Sequence, residues 1–176
     1  MGMDGRNTMK KIEEFSDEQI VIVNNAIEMA EDIVSEFYKM SSSQWLRNRY
    51  DVLTLSQLSK SEIVFGPFAQ IVRYLGKRNK SQLGSGDFDF YRICLQDHSI
   101  IQALRENFSL RLDPFVLYII AHELIHIIRF GKFIQFFDAS PDERALEETI
   151  VHQSTVDILK KINISGMKEV FKFYGC

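Results

Sequence analysis

Apolar residues recur in alternating steps of three and four at Ile20, Val23, Ile27, Ala30, Val34 and Phe37, with Asn24, Glu28, Glu31 and Asp32 mostly off that stripe. This period predicts an amphipathic helix over 17–40, and Ser16 with Gln19 three residues later supplies a capping box to start it. Residues 68–75 and 88–95 instead alternate, with aromatic and β-branched side chains, and predict two strands. Between them lies a polar loop with three glycines, so an antiparallel hairpin is expected. Residues 113–131 are apolar almost throughout and predict a helix buried on all sides. Asp113 is placed as its cap, Pro114 at the first helical position, Gly131 in a left-handed turn at its end and Arg129 in its last turn. Ser140-Pro141-Asp142-Glu143 is a second capping box and opens a helix over 141–162. Weaker patterns predict a helical turn over 44–50, a helix within 51–63 and another over 100–107. The first 15 residues are polar and without period, which predicts a loose arm before a single domain over 16–176.

Taken together these elements predict an α+β fold, mainly helical, with a small antiparallel hairpin or sheet packed on the helix over 113–131. The length of 176 residues and a 45% hydrophobic content suffice for one packed core. A net charge of −3 gives no electrostatic reason to expect nucleic acid or an anionic membrane as partner. Lys77, Arg78 and Lys80 read as a solvated loop. The apolar run at 113–131 is interrupted by His122, Glu123, His126 and Arg129, which argues against a membrane span. Cys94 and Cys176 are too few for a disulfide framework and are expected as free thiols. Without a signal-peptide pattern, a reducing cytoplasmic setting is the expectation.

Candidate chemistry concentrates on His122-Glu123-Leu124-Ile125-His126. Histidines four apart on a helix stand one turn above each other and can grip one metal ion. The glutamate beside them can take a proton from water activated by that ion, which is the mechanical content of an HExxH motif. Burying these groups in an apolar helix also demands partners, because an unpaired buried charge is very costly. A catalytic zinc takes three protein ligands, and the third is sought on the next helix. Placed at 100° per residue, Ala145, Val151, Val156, Leu159 and Ile162 form one face, with Glu148, His152 and Thr155 at its middle and Glu143 and Glu147 on its polar flank. Glu148 is therefore expected to point inward and to be the third ligand, with His152 as its neighbour or its substitute. His98, alone beside Asp97, reads as a surface or capping residue.

This pattern resembles the zincin metallopeptidases and, among them, the gluzincin branch, over residues 88–162. The resemblance implies that His122, His126 and Glu148 bind Zn2+, that Glu123 is the general base, and that the strand around 91–95 aligns a peptide or protein substrate. Many gluzincins carry Glu-x-x-x-Asp on the ligand helix, whereas this chain has Glu148-x-x-x-His152, so either residue could be the ligand. The longer metzincin motif is absent, because IIRFGKF follows His126. His152, Arg129 and Tyr91 are each conceivable stabilisers of the oxyanion. Two rivals stand beside the hydrolase reading. One is a non-catalytic module, either metal-stabilised or peptide-binding, on a zincin fold. The other is a dimetal carboxylate bundle, which needs a second Glu-x-x-His and further inward glutamates that this chain lacks. The sequence sets no oligomeric state.

Overall fold

The computed structural model describes residues 12–76, 88–132 and 136–176. It shows six helices and three strands among those residues: α1 (Asp17–Tyr38), α2 (Ser42–Arg47), β1 (Arg49–Leu53), β2 (Ala69–Gly76), β3 (Phe88–Leu95), α3 (Asp97–Glu106), α4 (Leu112–Gly131), α5 (Pro141–Leu159) and α6 (Met167–Phe173). The fold is mixed α+β, mainly helical, with a small sheet.

α4 is the axis of the molecule. It packs against α1, α5, α6 and the β2 and β3 strands, and its side chains from Pro114 to Ala121 and from Leu124 to Ile128 are buried. By length and composition it could cross a membrane, yet 72% of its most apolar window is covered by the rest of the chain. It starts one residue earlier than expected, and Asp113 lies inside the first turn, paired with Arg111 at 2.7 Å, rather than capping it. Gly131 is the last helical residue and does not take a left-handed conformation. A Cβ there would fall 1.9 Å from Asn48 Nδ2, so a side chain at this position would make the end of the Asn48 side chain shift.

α1 is capped as predicted: Ser16 Oγ accepts from Gln19 N, and Gln19 Oε1 accepts from Ser16 N. It buries Val23, Ala26, Ala30 and Val34 against α4, while Phe37 at the end of the stripe stays 44% exposed. Of the predicted arm, residues 1–11 lie outside the described residues. Residues 12–15 are anchored: Phe15 is buried, its N–H donates to Asp97 Oδ2 at 3.0 Å, and Glu13 pairs with Arg105 at 2.6 Å.

The expected hairpin is present, with β2 antiparallel to β3 from Ala69↔Leu95 to Gly76↔Phe88. The loop at 77–87, with Lys77, Arg78 and Lys80, lies outside the described residues. A third strand was not expected. β1 runs parallel to β3, giving the order β1-β3-β2, where the sequence suggested helix over 51–63. The predicted turn over 44–50 sits earlier, as α2, and short 3-10 turns occupy 55–57 and 60–62. Tyr50 and Val52 explain the strand, since both pack on the core and the Tyr50 hydroxyl donates to Glu31 at 2.8 Å. The helix expected over 100–107 begins earlier, at Asp97, whose buried carboxylate also accepts from Leu55 N.

Candidate metal centre

α4 and α5 run antiparallel, and polar pairs mark the rungs between them. Arg129 meets Glu147, His126 and His122 meet Glu148, and Tyr118 meets His152. From Arg129 to Tyr118 the partners on α4 descend while those on α5 rise from Glu147 to His152. Two helices therefore fix every member of the site without help from a loop.

At the middle rung the ligating atoms converge. His122 Nε2 lies 3.1 Å from Glu148 Oε2, His126 Nε2 lies 3.0 Å from Glu148 Oε1, and the two Nε2 atoms are 3.2 Å apart. These three groups are close enough to hold one ion, and in this structure each Nε2 faces its own carboxylate oxygen at hydrogen-bond distance. This is the one group of three or more potential ligands that comes together among the described residues. Two imidazoles and a carboxylate suit zinc and other first-row divalent ions. His122 Nδ1 is buried and has no hydrogen-bond partner among the described residues. Were Nε2 turned to an ion, Nδ1 would carry the proton and would find, among the described residues, no outer acceptor of the kind that usually orients a metal-bound histidine.

The environment of Glu148 differs from the expectation. Its side chain is 60% exposed rather than inward among aliphatic groups. The apolar face of α5 is buried only from Val151 onward, and the first two turns, with Ala145, stand clear of the core over a cleft. Hydrogen bonds from His122 and His126 hold the Glu148 carboxyl well below the usual carboxylate range. Glu123 is half-buried on the cleft wall, and burial pushes its carboxyl up, partly offset by the neighbouring His122 and His126.

The cleft measures about 810 Å³ and runs along α4, with Phe68, Ala69, Gln70 and Ile71 forming part of its lining. Residues 91–95, expected to align a substrate, belong to β3, whose two edges are already paired with β1 and β2. Among the described residues, the strand with an unpaired edge beside the cleft is β2. Tyr91 is also buried, and its ring stacks on Phe130.

His152 is not part of the ligand group. Its Nδ1 shares a hydrogen bond with the Tyr118 hydroxyl and its Nε2 lies 2.9 Å from Cys176 Sγ. Burial lowers its pKa. Arg129 is engaged by Glu147 through two bonds of 2.7 and 2.8 Å, so Glu147, expected on a solvated flank, is instead a half-buried clasp between the helices. His98 is half-buried at the start of α3, with Nε2 3.0 Å from Val64 O, far from the ligand group in its contacts. Both cysteines are free, and burial pushes the Cys94 thiol up to about 12.

Tyr118, Arg144 and Tyr174 also line the cleft. Tyr118 lies one turn before His122 and Arg144 one turn before Glu148, so the helical period that found the ligands could also have found them. Tyr174 stacks on Tyr118 at 4.3 Å, 56 positions away in chain order, only because α6 folds back, and no local pattern announces that. Of the aromatics at 133–137, Phe133 lies outside the described residues, Phe136 is exposed and Phe137 packs on Phe130 at the cleft. No protein family, curated protein or solved structure matches this chain.

Proposed function

We propose that this protein is a metal-dependent hydrolase of the zincin type, with zinc held by His122, His126 and Glu148 and a peptide bond as its target. One observation carries the reading: two Nε2 atoms and a carboxylate meet at 3.0–3.2 Å on the wall of an open cleft, with Glu123 beside them. A glutamate next to the ligand pair has no part in a purely structural site, and that favours an enzyme over a metal-stapled module. The dimetal bundle finds no second ligand group among the described residues.

Bound zinc supplies Lewis acidity, which lowers the pKa of water from 15.7 towards about 7. The chain's own groups do the rest. The unpaired edge of β2 offers main-chain donors and acceptors to an extended peptide lying across the ligand group. Glu123, with its proton affinity raised by burial, takes a proton from the attacking water and hands it to the leaving amine. Of the three conceivable oxyanion stabilisers, Arg129 is committed to Glu147 and Tyr91 is buried; His152 is on the cleft wall, with its ring nitrogens engaged by Tyr118 and Cys176.

The test uses the purified full chain and an internally quenched peptide library. The wild type cleaves, stops after chelation and recovers with zinc. Glu123→Gln keeps its zinc and loses about 10²- to 10⁴-fold in rate. Equal behaviour of wild type and Glu123→Gln towards every peptide removes the enzyme reading.

A further inference from the structure

The cleft has two chemically different arms. The rung order places Tyr118, His152 and Tyr174 on one side of the ligand group, and Phe130, Phe137 and Arg144 on the other. The first arm is aromatic and neutral. The second carries Arg144, the one lysine or arginine in the lining among the described residues.

Arg144 is held but not neutralised. Its Nε donates to Ala139 O at 2.9 Å, which fixes the guanidinium plane and leaves the two terminal nitrogens without a partner among the described residues. The neighbouring carboxylates are engaged elsewhere. Asp138 pairs with Arg73 at 3.2 Å, Glu143 accepts from Ser140 N at 2.8 Å, Glu147 holds Arg129 and Glu148 faces the histidines. Asp142 makes no ion pair with Arg144 among the described residues. Arg144 is exposed at the cleft wall, and a guanidinium oriented through Nε with both terminal nitrogens open is suited to a planar, two-oxygen anion.

We infer that this arm of the cleft selects substrates with a carboxylate, and that Arg144 is the residue that reads it. The inference rests on the proposed peptidase reading and names its substrate class. Arg144 lies one helical turn before Glu148. The recognised carboxylate therefore belongs to the part of the substrate that enters this arm, as an acidic side chain or as the free end of a short peptide. Phe130 and Phe137 cover the aliphatic part of the same segment.

Two peptide series separate those sources. One places Glu, Gln or Lys at each position within three residues of the cut, with both ends blocked. The other keeps neutral side chains and compares a free with an amidated C-terminus. The Glu peptide, the free-acid peptide or both exceed their neutral counterparts in kcat/KM by about 10- to 100-fold, the range of one charged hydrogen-bonded pair. The difference sits in KM. Arg144→Ala removes that preference and leaves the neutral peptides within about threefold. Arg144→Glu turns the preference to Lys. Each peptide is also titrated by fluorescence anisotropy against zinc-loaded Glu123→Gln, which reads binding without cleavage. Tighter binding of carboxylate peptides with no hydrolysis by the wild type supports this assignment and sinks the peptidase reading. Cleavage indifferent to charge, or an Arg144→Ala loss shared by all peptides, keeps the peptidase and overturns the assignment.

Discussion

Two groups of ionisable side chains lie on opposite faces of the sheet, and their contrast separates structure from chemistry. Behind the sheet, Glu62 is buried and accepts from the Tyr74 hydroxyl, from Ser59 N at 2.9 Å and from Arg92 Nη1 at 3.0 Å, while Arg92 also grips Asp51 at 3.1 Å. Every charge there has an opposite charge or a donor aimed at it. In front, two imidazole nitrogens and a carboxylate face one another at the wall of an open cleft, and a buried ring nitrogen is left over. The first group closes on itself and stabilises the fold. The second converges on a point that a cation could occupy.

The sharpest way to break this contrast is to remove Glu148. Loss of an outer-shell partner weakens metal binding about 10- to 100-fold, so loss of a ligand in Glu148→Ala weakens it by at least about 100-fold, as read by competition with a chelator dye. In the metal-free protein the same substitution lowers the melting temperature only slightly, because the carboxylate that pairs with the histidines is 60% exposed and its pairing is screened by solvent. Glu62→Ala does the reverse. It strands the Tyr74 hydroxyl and part of Arg92, costs about 2–4 kcal/mol in denaturant unfolding, and leaves one metal per chain.

A pH titration sharpens the same distinction. Glu62 is held down from its ordinary 4.5 to about 2, first by the Tyr74 hydroxyl and then by Ser59 and Arg92. A folded-state value below the unfolded one gives stability that is present above about pH 4.5 and fades as the pH falls towards 2. Wild-type stability should decline across that window, and Glu62→Gln should show a flatter decline; equal slopes would contradict the assignment. The smallest effect is expected at His152. His152→Gln keeps metal stoichiometry and costs about 1 kcal/mol, since it loses hydrogen bonds rather than a ligand.

The parts of this molecule written in local pattern were legible before the fold was seen. Ser16 with Gln19 and Ser140 with Glu143 announce their helices by capping chemistry that acts over three residues, and the structure shows both boxes. The spacing of His122 and His126 likewise needs nothing beyond the helix period. The helical wheel puts Glu148 on an inward, buried face of α5, whereas the first turns of α5 stand clear of the core over the cleft, so the carboxylate meets the histidines from the solvent side. What could not be read depends on chain segments far apart. β1 pairs in parallel with β3 through Tyr50↔Tyr91, and its five residues carry too short an alternation to be told from helix. Cys176 reaches His152 only after α6 turns back. Tertiary packing decides such contacts, and no window of sequence contains both partners.

X-ray absorption at the zinc edge, followed by anomalous diffraction from crystals of zinc-loaded wild-type protein, tests the central claim most directly. The account predicts one ion per chain, bonded at about 2.0–2.2 Å to His122 Nε2, His126 Nε2 and a Glu148 oxygen, with His152 still on the Tyr118 hydroxyl. A protein that takes up no zinc, or an ion seated on His152 and Cys176 away from the paired histidines, would contradict it.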